Sequence, residues 1–317
     1  MKPGWLARGA MAAALILPAT VGAQNVPERL QQAQAAVQKR AWRRAMQLLE
    51  GARGNTVDEA AAILHMRGLA EAGLGEPQQA AGDLQRAYEL NPQGRFYAGD
   101  AGLALLRANA AEAASRALEV AAQAEPRNPR LWQALAVANL RMGRNQAAAA
   151  AARRAIEVAP PADAANLYLL VAQALGNDGE IPAALTAARA AAATAPTLPN
   201  AHLAIGILLA QRVPPRVAGA AEEFLRAEAL APRFAPAYLQ LGKLRLQQSR
   251  LADAVRQLER AQELAPAEEE ALYLLAQAYA RQGNAVKAHS LMSRYEAARR
   301  QRRQQLANQP LPTFIVR

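Results

Sequence analysis

The chain has 317 residues, a formal net charge of +11 at neutral pH and no cysteine. Lack of cysteine excludes disulfide bonds, a thiol nucleophile and thiolate metal ligands. Hydrophobic residues make up 52% of the sequence but aromatic residues only 4%, and the excess is alanine, which favours closely approaching helices. The composition therefore predicts an all-α protein.

Residues 1–23 have the pattern of a cleavable signal peptide. Lys2 and Arg8 give a positive start, an apolar run follows at 9–17, and small residues precede Gln24. A membrane anchor is the alternative, but the run is far shorter than the roughly 20 apolar residues that span a bilayer. We expect cleavage after Ala23 and export to a bacterial periplasm, while secretion beyond the cell stays open.

From residue 61 onward the sequence repeats with a period of 34 residues. Pro92, Pro126 and Pro160 are spaced by this interval, as are Pro232 and Pro266. Each unit contains two amphipathic helical stripes followed by a proline stop. A single hairpin of this size cannot bury its apolar faces, so the pattern predicts a stack of hairpins.

The repeated unit resembles the tetratricopeptide repeat family, whose pattern is a large aromatic residue, Leu-Gly, Tyr, then Ala, a large apolar residue, Ala and Pro. The resemblance implies a right-handed superhelical solenoid. It contains a degenerate capping repeat at 24–60 and seven repeats at 61–94, 95–128, 129–162, 165–198, 199–234, 235–268 and 269–302. The residues expected to pack the repeats together are Trp132, Leu135, Tyr168, Tyr238, Gly242, Ala254, Leu258, Ala261, Leu272, Tyr279 and Ala288.

Three segments depart from the repeat. Residues 212–219 contain two adjacent prolines and predict a loop that bulges between two helices, either as a contact loop or as a tolerated insertion. Tyr295 and Arg300 replace the usual small residue and proline, which predicts a longer terminal helix. Residues 303–317 form the end of that helix and a tail, and its apolar tip at 314–316 either docks on the last repeat or is offered to a partner as a strand.

The sequence offers no arrangement of catalytic or metal-binding residues. His65, His202 and His289 lie in different repeats without metal-ligand spacing, and His202 occupies a core position of its repeat. Serines lack the context of a nucleophile elbow, and the glycines fall at turns and helix crossings. We therefore expect no enzyme activity, no cofactor and no metal.

In the resembling family, first helices line a concave groove, and the corresponding residues here predict a partner site. An apolar series flanked by amides suits an extended peptide, although the apolar members would equally pack between adjacent first helices. Some members of the resembling family bind the C-terminal carboxylate of a peptide with a cluster of Lys and Asn residues. That cluster is not present here, because Lys243 has no matching residues in the other repeats. The predicted groove residues are Asn166, Leu169, Gln173, Asn200, Leu203, Ile207, Leu239, Lys243, Tyr273 and Gln277.

The positive charge suggests anionic partners. Arginines cluster near the C-terminus at 294, 299, 300, 302 and 303, either as a solvated helix end or as a site for an anionic envelope polymer. Nucleic acid fits poorly, because an exported chain would not meet it and no stacking aromatics accompany the arginines.

These features together predict an exported scaffold or adaptor that binds a protein or peptide and supports assembly of an envelope complex. The alternative is a structural subunit of an exopolysaccharide or pilus export machine, which rests on analogy. The sequence leaves the partner and the oligomeric state undetermined.

Overall fold

The computed structural model describes residues 26–94 and 96–307. These residues form sixteen α-helices and one short 3₁₀ helix at Pro161–Asp163, without any strand. The helices are α1 (Val26–Gln38), α2 (Trp42–Leu49), α3 (Val57–Leu74), α4 (Pro77–Leu90), α5 (Tyr97–Arg107), α6 (Ala111–Ala124), α7 (Pro129–Arg141), α8 (Asn145–Val158), α9 (Ala164–Asn177), α10 (Ile181–Thr194), α11 (Pro199–Gln211), α12 (Val217–Leu230), α13 (Ala235–Gln247), α14 (Leu251–Leu264), α15 (Glu269–Arg281) and α16 (Ala285–Ala307).

The chain divides into two compact units, one ending at Asn109 and the other beginning at Ala110. The N-terminal unit contains α1–α5 and the C-terminal unit α6–α16. Within each unit, helices that follow one another in the sequence pack together, as α3 does with α4 and α7 with α8. Such neighbour-on-neighbour packing defines an all-α repeat solenoid, so the predicted fold class is confirmed. The predicted signal peptide and the apolar tip of the tail lie outside the described residues.

Capping residues and tight turns set the ends of the helices. The Thr56 side chain accepts a hydrogen bond from the Glu59 N–H (3.1 Å), and Asn128 does the same for Arg130 (3.2 Å). Gly143 and Gly283 lie in the turns after α7 and α15 with φ of 68° and 81°, a left-handed conformation that strains other residues. Three residues are therefore enough to reverse the chain between the helices of a pair.

Two predicted departures from the repeat are confirmed, although the loop covers residues 212–216 and not the whole predicted range of 212–219. Helix α11 ends at Gln211 and α12 begins at Val217, so five residues connect this pair where most pairs of the C-terminal unit use three. Helix α16 has 23 residues, whereas α14 has 14. Most of the exposed residues of α16 are polar, with Val286 as an exception.

The core of the N-terminal unit includes small and aliphatic side chains from α1, α2 and α3, among them Ala33, Leu49 and Ile63. A charged cluster lies between α3 and α4, where the Arg67 guanidinium donates to both carboxylate oxygens of Asp83, with Nη2 2.8 Å from Oδ1. Glu71 beside them is only 7% exposed, and its Oε2 has no hydrogen-bond partner among the described residues. Burial first, and then repulsion from Asp83, raises the pKa of Glu71 to about 7.

Glycines allow the two helices of a pair to cross closely in the C-terminal unit. A Cβ at Gly242 would lie 2.6 Å from Leu258 Cγ, and one at Gly206 would lie 2.5 Å from Phe224 Cε1. Leu258 and Phe224 are themselves 0% and 2% exposed. A small residue on the first helix thus makes room for a large one on the second, and the close approach excludes water from the pair.

Candidate partner-binding groove

The first helices of three successive repeats lie beside one another in the C-terminal unit, because α9 contacts α11 and α11 contacts α13. On α9 and α11 the residues four apart, Leu169 with Gln173 and Leu203 with Ile207, face the same side. A cavity of about 300 Å³ opens over these two helices, and a second of about 290 Å³ opens over α11 and α13. Ile207 and Gln211 line both cavities, so the two form one continuous groove.

We call this surface the amide groove. Its floor is aliphatic, and its edges carry side-chain amides that can donate and accept hydrogen bonds. The residues that define it are Leu169, Gln173, Asn177, Asn200, Leu203, Ile207, Gln211, Gln240, Lys243 and Gln247. Lys243 is the one ionised member, and its Nζ lies 2.7 Å from Oε1 of Glu270 on α15. The groove therefore carries no uncompensated charge, although the whole chain is strongly basic.

The structure brings together six of the ten predicted groove residues: Leu169, Gln173, Asn200, Leu203, Ile207 and Lys243. Lys243 forms an ion pair with Glu270 of α15. Both side chains are half-exposed, and the Glu270 carboxylate offsets the charge of the lysine in this arrangement.

The prediction for Leu239 is wrong. Its side chain is 8% exposed and belongs to a core cluster with Leu272, Leu275 and Ala276 of α15. Leu239 therefore packs between adjacent first helices, which was the alternative interpretation of the apolar series. Leu169 and Leu203 remain half-buried at the groove surface.

Three further predicted residues lie outside the amide groove. Asn166 is exposed on the first turn of α9. Tyr273 is 40% exposed, its ring centroid lies 5.6 Å from that of Tyr295, and its hydroxyl accepts a hydrogen bond from the Gln277 amide (3.3 Å). Tyr273 therefore contacts Gln277 of its own helix and Tyr295 of α16.

The sequence reasoning missed Asn177, Gln211, Gln240 and Gln247. Asn177, Gln211 and Gln247 each lie four residues, or about one helical turn, after the predicted residues Gln173, Ile207 and Lys243. Extending the same helical stripe to the ends of α9, α11 and α13 would have found them.

Most predicted packing residues are buried, but Trp132 and Tyr168 are half-buried. They line two outer cavities of about 470 and 360 Å³, beside small side chains such as Ala150 of α8 and Ala183 of α10. Alanine is too short to cover a large aromatic ring, which explains why these two remain partly open. The buried members of the predicted set are Leu135, Tyr238, Gly242, Ala254, Leu258, Ala261, Leu272, Tyr279 and Ala288.

A polar contact links successive repeats at the large residue of the first helix. Trp132 Nε1 donates to the Pro126 carbonyl (2.9 Å), and Tyr238 Oη donates to the Pro232 carbonyl (3.0 Å). His202 occupies the same position and lies 3.3 Å from the Pro196 carbonyl, while its other ring nitrogen is 2.7 Å from Glu223. His202 is therefore a hydrogen-bonded residue at the repeat junction rather than a purely packed core residue.

Within residues 26–94 and 96–307, no group of three or more His, Asp and Glu side chains has an arrangement that could hold a metal ion. None of the helices in this part of the chain combines the length and apolar character required to cross a bilayer.

Stacked helix pairs with an open groove across their first helices define a helical-repeat protein of the binding type. The tetratricopeptide repeat family model matches residues 239–303, and a second model of the same description matches residues 129–161. These matches identify tetratricopeptide repeats within residues 129–161 and 239–303, and the described residues have the fold of a tetratricopeptide repeat solenoid. Repeats of this family are generally protein-interaction modules without catalytic activity, which supports a general protein-binding role.

Comparison with curated proteins gives no match, whereas solved structures share the fold. A tetratricopeptide repeat protein from Parabacteroides merdae has a TM-score of 0.59 and 14% identity, over 80% of this chain and 98% of its own. The C-terminal part of a repeat protein from Cytophaga hutchinsonii has a TM-score of 0.57 and 13% identity, over 78% and 99%. PilW, a widely conserved type IV pilus biogenesis factor, has a TM-score of 0.55 and 22% identity, over 65% and 93%.

Proposed function

We propose that this chain is a periplasmic scaffold that holds an extended segment of a protein partner in the amide groove and thereby supports assembly of an envelope complex. The observation that carries the proposal is the pair of joined cavities, about 300 and 290 Å³, across α9, α11 and α13. A peptide lying across these helices would meet the same kind of surface in each repeat.

The chemistry of the groove favours a peptide without net charge. Leu169, Leu203 and Ile207 offer an apolar floor for side chains, and the surrounding amides match the donors and acceptors of a peptide backbone. Lys243, which pairs with Glu270, is the one charged residue among the described side chains that line the groove. Sugar ligands are less suited, because Phe224 is the one aromatic ring among the described lining residues of the groove and it is only 2% exposed.

The periplasmic location rests on the signal-peptide pattern of residues 1–23. Expression of the full chain in a Gram-negative host, followed by fractionation and N-terminal sequencing, tests it. Recovery from the periplasm with a new N-terminus at Gln24 is the expected result. An uncleaved chain that stays in the cytoplasm would contradict the proposed location but not the binding site.

A photo-crosslinking amino acid at position 207 tests the groove, with the same residue at position 225 as the control. Leu225 is a 45% exposed residue on α12 and lies outside the groove. We expect crosslinks to a defined partner from position 207 but not from position 225. The partner peptide should bind Ile207→Asp at least about tenfold more weakly, because a carboxylate would face an apolar contact. Equal weakening by Leu225→Asp would refute the assignment.

A second candidate function is a structural subunit of a pilus or exopolysaccharide export machine. The likeness of fold to PilW favours the pilus version. Co-purification from envelope fractions separates the two candidates. A stable complex with an outer-membrane pore or a synthase supports the export machine, whereas exchangeable peptide-like partners support the scaffold.

A further inference from the structure

Three turns between the helices of a pair lie side by side in the C-terminal unit. Gln211 and Gln247, the last residues of α11 and α13, line the same cavity. Arg281, the last residue of α15, donates to the Leu246 carbonyl and to Ser249 Oγ, both at 2.9 Å. The turns after α11, α13 and α15 therefore share one edge of the unit. We call this edge the basic rim and define it as residues 211–217, 245–251 and 281–287.

The basic rim carries positive charge only. Its residues include six cations and no carboxylate, namely Arg212, Arg216, Arg245, Arg250, Arg281 and Lys287. The preceding turn, at residues 177–183, has Asp178 and Glu180 and no cation. The charge is thus negative in the turn after α9 and positive in the three turns of the basic rim. The basic rim is therefore a local concentration of cations and does not simply reflect the net positive charge of the whole chain.

Most of this charge is uncompensated. Arg250 pairs with Asp253 (Nη2–Oδ2 2.5 Å), and Lys287 donates to the Tyr279 hydroxyl, which donates in turn to the Glu259 carboxylate. Arg245 hydrogen-bonds to the neutral side chain of Gln248. The Arg281 contacts are neutral as well. Arg212 and Arg216 make no ion pair with any described residue. Four of the six cations, Arg212, Arg216, Arg245 and Arg281, therefore remain available to attract an anionic partner.

Two apolar side chains project from the same edge. Val213 is 91% exposed and Val286 is 83% exposed, the highest fractions among the large apolar side chains of the described residues. Val213 lies in the five-residue connection that the other pairs lack. Exposed apolar side chains among cations are typical of a contact surface. Such an apolar side chain is removed from water, which is favourable, only when a partner covers it.

We infer that the basic rim is a second contact surface and that it binds an acidic segment of a protein partner. Adjacent first helices are roughly 10 Å apart, so three turns span roughly 20 Å, about the length of six extended residues. An acidic peptide can place carboxylates along this row and cover the valines with its own apolar side chains. A lipid surface fits less well, because polar Gln248 and Ser249 separate the two valines and leave no continuous apolar face to insert.

The probe for this inference is a fluorescein-labelled peptide of alternating Glu and Val, measured by fluorescence anisotropy with the full chain. A peptide with Gln in place of Glu is the control ligand. The test variant carries Arg212→Glu and Arg216→Glu, and the matched control carries Arg153→Glu and Arg189→Glu. Arg153 and Arg189 are exposed on α8 and α10, far from the turns in sequence, and the control has the same net charge as the test variant.

We expect the rim variant to bind the Glu peptide about tenfold more weakly and the control variant to change the affinity less than about twofold. Binding of the wild-type chain should weaken as salt rises from about 0.05 to 0.3 M. Circular dichroism of both variants checks that the helices are intact. Equal loss in the two variants, or equal binding of the Gln peptide, would overturn the inference.

Two further variants and one further ligand sharpen the test. Loss of Glu-peptide binding on Arg299→Glu with Arg303→Glu, but not in the rim variant, would assign the site to α16 and overturn the inference. Rim-dependent binding of anionic phospholipid vesicles without binding of the Glu peptide would do the same. Ile207→Asn disrupts the apolar floor of the amide groove without adding a charge, so it should leave Glu-peptide binding unchanged. Failure of the amide groove and failure of the basic rim are therefore distinguishable.

Discussion

Gly242 is the residue whose small size matters most for the crossing of α13 and α14. A Cβ built at this position would lie 2.6 Å from Cγ and 2.8 Å from Cδ2 of Leu258, and 3.3 Å from its backbone N. Leu258 is 0% exposed, so its side chain has little room to move away. Gly242→Ala should therefore destabilise the pair, although alanine is the better helix former.

The expected free energies follow from two opposing effects. Replacing a helical glycine by alanine gains about 1 kcal/mol in helix propensity, whereas overpacking a tight core costs about 1–3 kcal/mol. Gly242→Ala should thus lower local stability by about 1 kcal/mol. Leu258→Ala should cost about 2–5 kcal/mol because it leaves a cavity. In the Leu258→Ala variant the Cγ and Cδ2 atoms of Leu258 are absent, so adding Gly242→Ala should stabilise the pair by about 0.5–1 kcal/mol.

Hydrogen exchange of the α13 and α14 amides measures these effects, because repeat arrays open locally and need not unfold in two states. The effect of Gly242→Ala on stability is compared in the presence of Leu258 and in the Leu258→Ala variant. The difference between the two effects, which is the coupling free energy of the double-mutant cycle, is expected at about 2 kcal/mol. Gly82→Ala on α4 is the matched control, since its Cβ would meet nothing within 4 Å, and it should stabilise by about 1 kcal/mol. A Gly242→Ala effect that is the same with and without Leu258 would refute the close-approach argument.

Three further outcomes are expected. The pKa of Glu71 is raised to about 7 from 4.5, which means that the folded state favours the protonated carboxyl. Its contribution to the stability of the N-terminal unit should therefore be complete below pH 4.5 and should be lost as the pH rises through 7. The shift corresponds to about 3 kcal/mol of unfolding free energy, which nearby solvent reduces to about 1–2 kcal/mol. Hydrogen exchange of the α3 and α4 amides should be faster, relative to the intrinsic rate, at pH 8 than at pH 5. Glu71→Gln should remove this difference. Tyr238→Phe loses the hydrogen bond to the Pro232 carbonyl and should cost about 1 kcal/mol in urea or exchange measurements. Leu239→Ala should lower stability by about 2–4 kcal/mol, because this leucine is a core residue, whereas Leu203→Ala should cost less than half as much.

Each of these outcomes has a clear contrary result. A pH dependence that persists in Glu71→Gln would assign it to other groups of the N-terminal unit. An unchanged stability of Tyr238→Phe would mean that water replaces the lost bond at no cost. Equal effects of Leu239→Ala and Leu203→Ala would contradict the distinction between a buried and a groove-facing leucine.

The sequence by itself determined the class of fold, because the evidence for it is local and repeated. The 34-residue spacing of Pro126 and Pro160 and the helical stripes between them need only the geometry of a single helix. The same local chemistry predicted the connection at 212–219 and the long terminal helix. The residues of the helix crossing, such as Gly242 and Leu258, were also predictable, since a hairpin brings together positions close in the sequence.

The tertiary structure alone decided which members of the apolar series are free to contact a partner. Leu203 and Leu239 occupy corresponding positions, yet Leu239 is covered by α15 and Leu203 lies at the groove surface. The charge state of the groove and the joining of three turns into the basic rim likewise depend on side chains from different repeats, as in the contacts of Lys243 with Glu270 and of Arg281 with Ser249. Helical periodicity assigns a residue to one side of its own helix, but whether a neighbouring helix covers that side depends on how the repeats pack.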